Sequence, residues 1–116
     1  MNSDCVFCKI VSRAIPAPLL YEDEQVVAFR DISPQAPAHL LVIPKQHFVD
    51  LPSLIAAGEE ALAGRLLKVA TQVAQEQGLV ESGFRTVINT GEHGGQSVFH
   101  LHVHVLGGRH LAWPPG

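Results

Sequence analysis

His100-Leu101-His102-Val103-His104-Val105-Leu106 interleaves three histidines with apolar residues, and Gly94-Gly95-Gln96-Ser97 lies a little upstream. A β-strand turns successive side chains to opposite faces. The spacing therefore predicts one strand with Phe99, Leu101, Val103 and Val105 in a core and His100, His102 and His104 on the other face. With a rise of roughly 3.3 Å per residue, neighbouring histidines stand about 6.6 Å apart and the outer pair about 13 Å, so one small ligand meets two of them but not all three equally. The three histidines are thus expected to have different roles. An isolated histidine inside a protein usually satisfies a hydrogen bond and nothing more. A strict row of three, woven into core-type residues and closed by Gly107-Gly108, points to a site.

The 116 residues, 47% of them hydrophobic, suit one domain over 1–116 with a modest core. Net charge is -3 and the lysines and arginines are scattered, so the basic stripe of a polynucleotide binder is missing. A single nucleotide remains compatible, since backbone amides can hold one phosphate. Met1 to Cys5 shows no basic stretch followed by an apolar run, and no segment reaches the length needed to span a bilayer, so a cytoplasmic protein with no membrane partner is expected. Both cysteines fall in Cys5-Val6-Phe7-Cys8, which argues against a secreted disulfide framework and leaves redox or metal chemistry. A thioredoxin-type motif needs a strand before it, and none precedes Cys5.

Val6 to Arg13 reads as a short helix ended by the prolines at Pro16 and Pro18. Leu19 to Glu22 and Val26 to Arg30 flank Asp23-Glu24-Gln25 as a hairpin, and His39 to Pro44 is a strand buried on both faces. From Ala57 to Gln77, Leu62, Leu66, Val69 and Val73 recur at helical spacing, with Gly78 at the C-terminal cap and Arg65 and Lys68 on a solvated face. Arg85 to Asn89 and Phe99 to Leu106 complete the strands. The expected class is α+β: an antiparallel sheet of about five strands with one long and one short helix.

The histidine row resembles the signature of the histidine-triad (HIT) nucleotide-binding proteins. The likeness extends over Asp31-Ile32-Ser33-Pro34-Gln35-Ala36-Pro37, His39 to Lys45, Gly94 to Ser97 and Trp113-Pro114-Pro115-Gly116, all similar to the Hint branch of that family. The resemblance implies a homodimeric HIT-like fold that hydrolyses purine nucleoside phosphoramidates such as adenosine 5′-phosphoramidate, without a catalytic metal. His102 then corresponds to the nucleophile and His104 to the phosphate-contacting histidine. Ser97 is placed to bond the leaving nitrogen or the phosphate, and His39 belongs to a proton relay or is a structural histidine. Gly95, Gln96 and Asn89 correspond to phosphate-side residues. Asp31 matches a ribose-binding carboxylate, although an Asx turn before Ser33-Pro34 explains it equally well. Phe7, Ile10, Ile15, Phe29, Ile32 and Leu41 correspond to the base pocket, where apolar residues are also ordinary core. The proline-rich tail is implied to bring Trp113 near the active site of the partner subunit.

Bacterial relatives of this kind carry a zinc clamp, and the resemblance assigns its ligands to Cys5, Cys8, His47 and His100. Two thiolates and two imidazoles form a closed set, which marks a structural rather than catalytic zinc. Three other functions stay open: a metal-dependent hydrolase using alternate histidines as ligands, a dinucleoside polyphosphate hydrolase of the same family, and a nucleotide-binding adaptor. No third ligand for a metal at His102 and His104 stands out in the sequence.

Overall fold

The computed structural model describes residues 4–116; Met1 to Ser3, part of the segment read above as carrying no targeting signal, lie outside them. Five strands, β1 (Leu19–Glu22), β2 (Val26–Arg30), β3 (Ala38–Pro44), β4 (Phe84–Val87) and β5 (Val103–Gly107), make one sheet in the order β1-β2-β3-β5-β4. Every neighbouring pair is antiparallel. The helices are α1 (Val6–Val11), α2 (Leu51–Ala56) and α3 (Glu60–Glu76). The hairpin strands have the bounds expected. Asp23 Oδ1 sets their turn by accepting the Gln25 and Val26 backbone N–H groups at 2.7 and 2.9 Å.

The period-two pattern gives the sheet two different faces. Val26, Ala28, Leu40, Val42, Val103 and Val105 pack against Leu62, Leu66, Val69 and Val73 of α3. Val27, Phe29, Leu41 and Ile43 point the other way and meet Phe7 of α1. Because β3 is central and covered on both sides, all of His39 to Pro44 is buried, as its continuous apolar run predicts. Histidines on β3 and β5 at odd register from the α3-facing set necessarily open onto the α1 side, and that side holds the site.

Several sequence expectations need correction. The histidine strand begins at Val103, not Phe99, so only His104 lies in a regular strand. Pairing with β3 stops at Val42–Val103, and upstream the Leu101 N–H donates instead to the Phe48 carbonyl at 2.7 Å. Alternation nonetheless persists: Leu101 enters the α3-side core. Phe99 does not; it is 59% exposed. The strand expected at 85–89 runs from Phe84 to Val87, which leaves Asn89 beyond its end.

The helix expected from Ala57 starts at Glu60, and a separate helix, α2, precedes it, giving three helices where two were expected among the described residues. Asp50 caps α2 through the Ser53 N–H at 2.9 Å, with proline in the first turn, a signal legible in Asp50-Leu51-Pro52-Ser53. Gly58, at φ +77, separates the two helices. α1 ends before the prolines, with Arg13 in the left-handed region at φ +64. Arg65 is not simply solvated: its guanidinium bonds Asp23 Oδ2 at 2.6 Å and the Tyr21 hydroxyl at 3.0 Å, fastening α3 to the β1–β2 hairpin.

Candidate functional site

A cleft of about 450 Å³ opens on the α1 side of the sheet. His39, Ser97, His102 and His104 line it, as do Asp31 and Ile32 at the end of β2. Its apolar wall includes Phe7, Ile10, Ile15, Phe29 and Leu41. The sheet register explains the convergence: Leu41 is paired with His104 and His39 with Leu106, so the two histidines are diagonal neighbours on one face. The mixture of an apolar wall with a few convergent polar groups is the usual build of a small-molecule site.

The hydrogen bonds fix which nitrogen each ring presents. His102 Nδ1 lies 2.7 Å from the His100 carbonyl, which can only accept, so Nδ1 carries the proton and Nε2 keeps its lone pair. His39 Nδ1 accepts the Gln35 backbone N–H at 3.0 Å, so its own proton sits on Nε2. That nitrogen lies 2.9 Å from His104 Nδ1 and 3.4 Å from Asp31 Oδ2. The chain of donors thus runs from Gln35 through His39 to His104, whose remaining proton is on Nε2. The cleft accordingly holds one imidazole with an unshared pair and one with an N–H to give. Gln35 was not singled out in the sequence, and a main-chain donor leaves no residue-type signal there.

Burial keeps these rings neutral. It lowers His102 from the ordinary histidine value against the opposing pull of the His100 carbonyl and Asp31. It brings His104 down to about 4, with His102 and His39 adding repulsion. His39 is lowered by burial too, partly offset by Asp31. At neutral pH an unprotonated, tautomer-fixed imidazole is ready to attack an electrophile.

The Gly-rich loop is shaped from within. At Gly94 a Cβ would come 2.4 Å from the Thr90 carbonyl oxygen, and Gly95 sits at φ +76, so both positions require glycine. Gln96, expected on the phosphate side, has its side chain buried in the loop's own scaffold. Its Oε1 accepts the Gly91 N–H at 2.9 Å, and its Nε2 donates to the Val49 and Val98 carbonyls at 2.7 and 3.1 Å. Gly95, Gln96 and Asn89 do not line the cleft, whereas Ser97 does. Asp31 makes the Asx turn, Oδ1 accepting the Ser33 N–H at 2.8 Å, while its other oxygen faces His39.

A second cluster lies behind the cleft. Cys5 Sγ is 3.3 Å from His100 Nδ1, Cys8 Sγ is 3.3 Å from His47 Nδ1, and the two Nδ1 atoms are 3.1 Å apart. A tetrahedral zinc with bonds of about 2.0–2.3 Å places its ligand atoms about 3.3–3.8 Å from one another, so these spacings fit within a few tenths of an ångström. His100 Nε2 donates to the Pro44 carbonyl at 2.8 Å, which leaves Nδ1 unprotonated toward the thiols and supplies the outer-shell bond that orients a ligating histidine. Burial first, then His47 and His102, hold His100 near 4. Cys5, Cys8, His47 and His100 lie close enough to bind a metal ion.

Asp31, His39 and His104 also approach one another closely enough for a metal. This is the grouping around His104, rather than one with His102. However, the Gln35 N–H occupies His39 Nδ1 and leaves a proton on the Nε2 that a metal would need. The three residues therefore read as a hydrogen-bonded relay.

Residues 12–111 match the HIT domain family model. The chain belongs to the HIT domain family. It is 47% identical over 111 residues to the purine nucleoside phosphoramidase of Escherichia coli, covering 96% of this chain and 92% of that protein. It is 55% identical over 116 residues to an uncharacterized HIT-like protein of Synechococcus elongatus, with 100% of each chain covered. A HIT family hydrolase from Legionella pneumophila superposes with a TM-score of 0.90 at 49% identity, covering 97% of this chain and 99% of that one. The HIT-like α+β fold expected from the sequence is the fold observed.

Proposed function

We propose that this HIT protein is a purine nucleoside phosphoramidase that cleaves the P–N bond through a nucleotidyl-histidine intermediate. The observation that carries this reading is His102, held by the His100 carbonyl so that a neutral Nε2 with its lone pair belongs to the cleft. Similarity to the Escherichia coli phosphoramidase supports the substrate class.

His102 Nε2 attacks phosphorus, the amine departs with a proton, and water then cleaves the phosphorus–nitrogen bond to the imidazole. His104 Nε2–H stabilises charge on a nonbridging oxygen, and its Nδ1, bonded to His39, lets that proton be adjusted through the relay. Ser97 lies at the cleft edge to give or take a hydrogen bond at the leaving nitrogen. Gly95 and Gln96 act by shaping the loop that carries Ser97, their own N–H groups being given to the Glu92 and Gly91 carbonyls at 3.0 Å each, and Asn89 is assigned to the phosphate side by the family resemblance. Asp31 accepts the ribose hydroxyls, and Phe7, Ile10, Ile15, Phe29, Ile32 and Leu41 enclose the purine.

The metal held by Cys5, Cys8, His47 and His100 is assigned as zinc. When bound, it supplies folding energy and no chemistry at phosphorus, because four protein ligands leave it no open position. The protein acts as a single HIT domain in a homodimer and in the cytoplasm, where thiols are kept reduced. Trp113, 80% exposed in the isolated chain, then lies near the active site of the partner subunit.

The test is turnover of adenosine 5′-phosphoramidate, an adenylated lysine and diadenosine polyphosphates by one preparation. Preferred cleavage of the first two is expected. Preference for the polyphosphates would move the protein to the dinucleoside hydrolase class, and tight binding of adenosine monophosphate without turnover of any of them would favour an adaptor.

A further inference from the structure

His100 belongs to two sites at once. Its Nδ1 faces Cys5 and Cys8 at 3.3 and 3.5 Å, while its carbonyl oxygen holds His102 Nδ1 at 2.7 Å. Phe7, between the two cysteines in sequence, links the same places through its ring. It packs edge-on against His100 and His102, with centroids 5.9 and 5.1 Å away, and against Phe29 at 5.6 Å. Phe7 is also a wall of the cleft. The helix carrying it has only six residues, and Cys5 Sγ caps that helix by accepting the Cys8 N–H at 3.3 Å.

We propose that the Cys5–Cys8 pair is a redox-sensitive control of the nucleophile, acting on His102 through the His100 carbonyl and the Phe7 ring. This rests on reading His102 as the nucleophile and the four-residue cluster as the metal site. His100 and Phe7 are positioning residues in this scheme. A peroxide is the oxidant: one thiolate attacks a peroxide oxygen and becomes a sulfenic acid as hydroxide leaves. The second thiolate attacks that sulfur and expels another hydroxide. In sum, two thiolates, one hydrogen peroxide and two protons give one disulfide and two waters. A second cavity, of about 310 Å³, is lined by Cys5, His47, Ser97 and Phe99 among others and gives a small oxidant a route to the half-buried Cys5.

The geometry makes the change mechanical. Thiolates on one tetrahedral zinc stand about 3.8 Å apart, whereas a disulfide needs about 2.05 Å, so the sulfurs close by well over 1 Å. The Cys5 cap on α1 is released and Phe7 moves with its helix. Only His47 and His100 remain as donors, too few to retain the metal, and the ring that oriented His100 is freed. A reacting group misplaced by about 1 Å can lose on the order of a hundredfold in rate, so even a partial displacement of His102 lowers kcat about tenfold. The effect falls on kcat through His102, and KM rises with it, because Phe7 is also a wall of the cleft and packs against Phe29.

The zinc-loaded protein is titrated with hydrogen peroxide. Metal release is followed with a chromogenic chelator, thiols are counted, and the His102 and Phe7 rings are observed by proton–nitrogen and aromatic NMR. Expected are loss of the His102 Nδ1–H signature and displaced Phe7 resonances in step with metal release, a kcat reduced about tenfold, and recovery after dithiol reduction with zinc. In Cys5→Ser, which cannot form the disulfide, peroxide should leave the His102 spectrum as it was. Unchanged His102 and Phe7 spectra in fully oxidised, metal-free protein would overturn the proposal. So would global unfolding on oxidation, seen in far-ultraviolet circular dichroism. If the zinc-loaded protein cleaves no phosphoramidate, the substrate assignment fails, and the spectra still decide the coupling.

Discussion

Replacing Gln96 by leucine separates a scaffold role from a ligand-binding one, since leucine keeps the approximate volume and removes every polar atom of the side chain. Three hydrogen bonds disappear: one from the Gly91 N–H and two to the Val49 and Val98 carbonyls. At about 1 kcal/mol net for each bond, the loss is about 3 kcal/mol. At about 4 °C per kcal/mol for a chain of this size, Tm should fall by about 12 °C. The bonds tie the loop before Ser97 to the segment entering α2, so Ser97 loses its fixed place and kcat for a phosphoramidate drops as well. Affinity for adenosine monophosphate should change little, because Gln96 does not line the cleft. Differential scanning calorimetry and isothermal titration of the nucleotide at one pH measure both quantities. A variant with unchanged Tm but lost nucleotide affinity would refute the assignment of Gln96 to the loop scaffold.

His102→Asn removes the attacking nitrogen and keeps the pocket, so turnover should fall by at least about a thousandfold while nucleotide binding persists; near wild-type kcat would rule out a covalent intermediate at this residue. Burial lowers His39, His100, His102 and His104 in the folded chain, whereas the unfolded histidines titrate near 6.5. Below that pH the unfolded state binds more protons, so stability should decline as pH falls from about 6.5 toward about 4, and a urea midpoint that rises on acidification would contradict the sign. Removal of the tail from Leu111 onward should alter selectivity among amine leaving groups more than adenosine recognition. A monomer by light scattering, or an unaltered substrate profile, would count against the placement of Trp113 beside the partner's site.

Much of the architecture was legible because period-two alternation is a local property. Leu19 to Glu22 and Val26 to Arg30 declared themselves as strands, the buried run ending at Pro44 as a central strand, and Leu62 to Val73 as a helix face, since the pattern of side-chain directions follows from backbone geometry alone. The histidine alternation likewise foretold that Leu101 and the three histidines face opposite ways. Where a strand ends is not local. His100 and His102 leave the sheet although β3 runs on through Ile43 to Pro44: Pro44 has no N–H to give, and the Leu101 N–H turns to the Phe48 carbonyl instead, a fact set by tertiary packing. The sequence could nominate His39, His102 and His104, but the protonated nitrogen of each was decided by the Gln35 N–H and the His100 carbonyl, main-chain groups that every residue carries. Sequence could also place Gln96 beside a phosphate loop; only the folded chain aims its amide at Gly91, Val49 and Val98. The Cys5–Cys8 pair, His47 and His100 are far apart in the chain, and it is the sheet and α1 together that bring their donor atoms within reach of one ion.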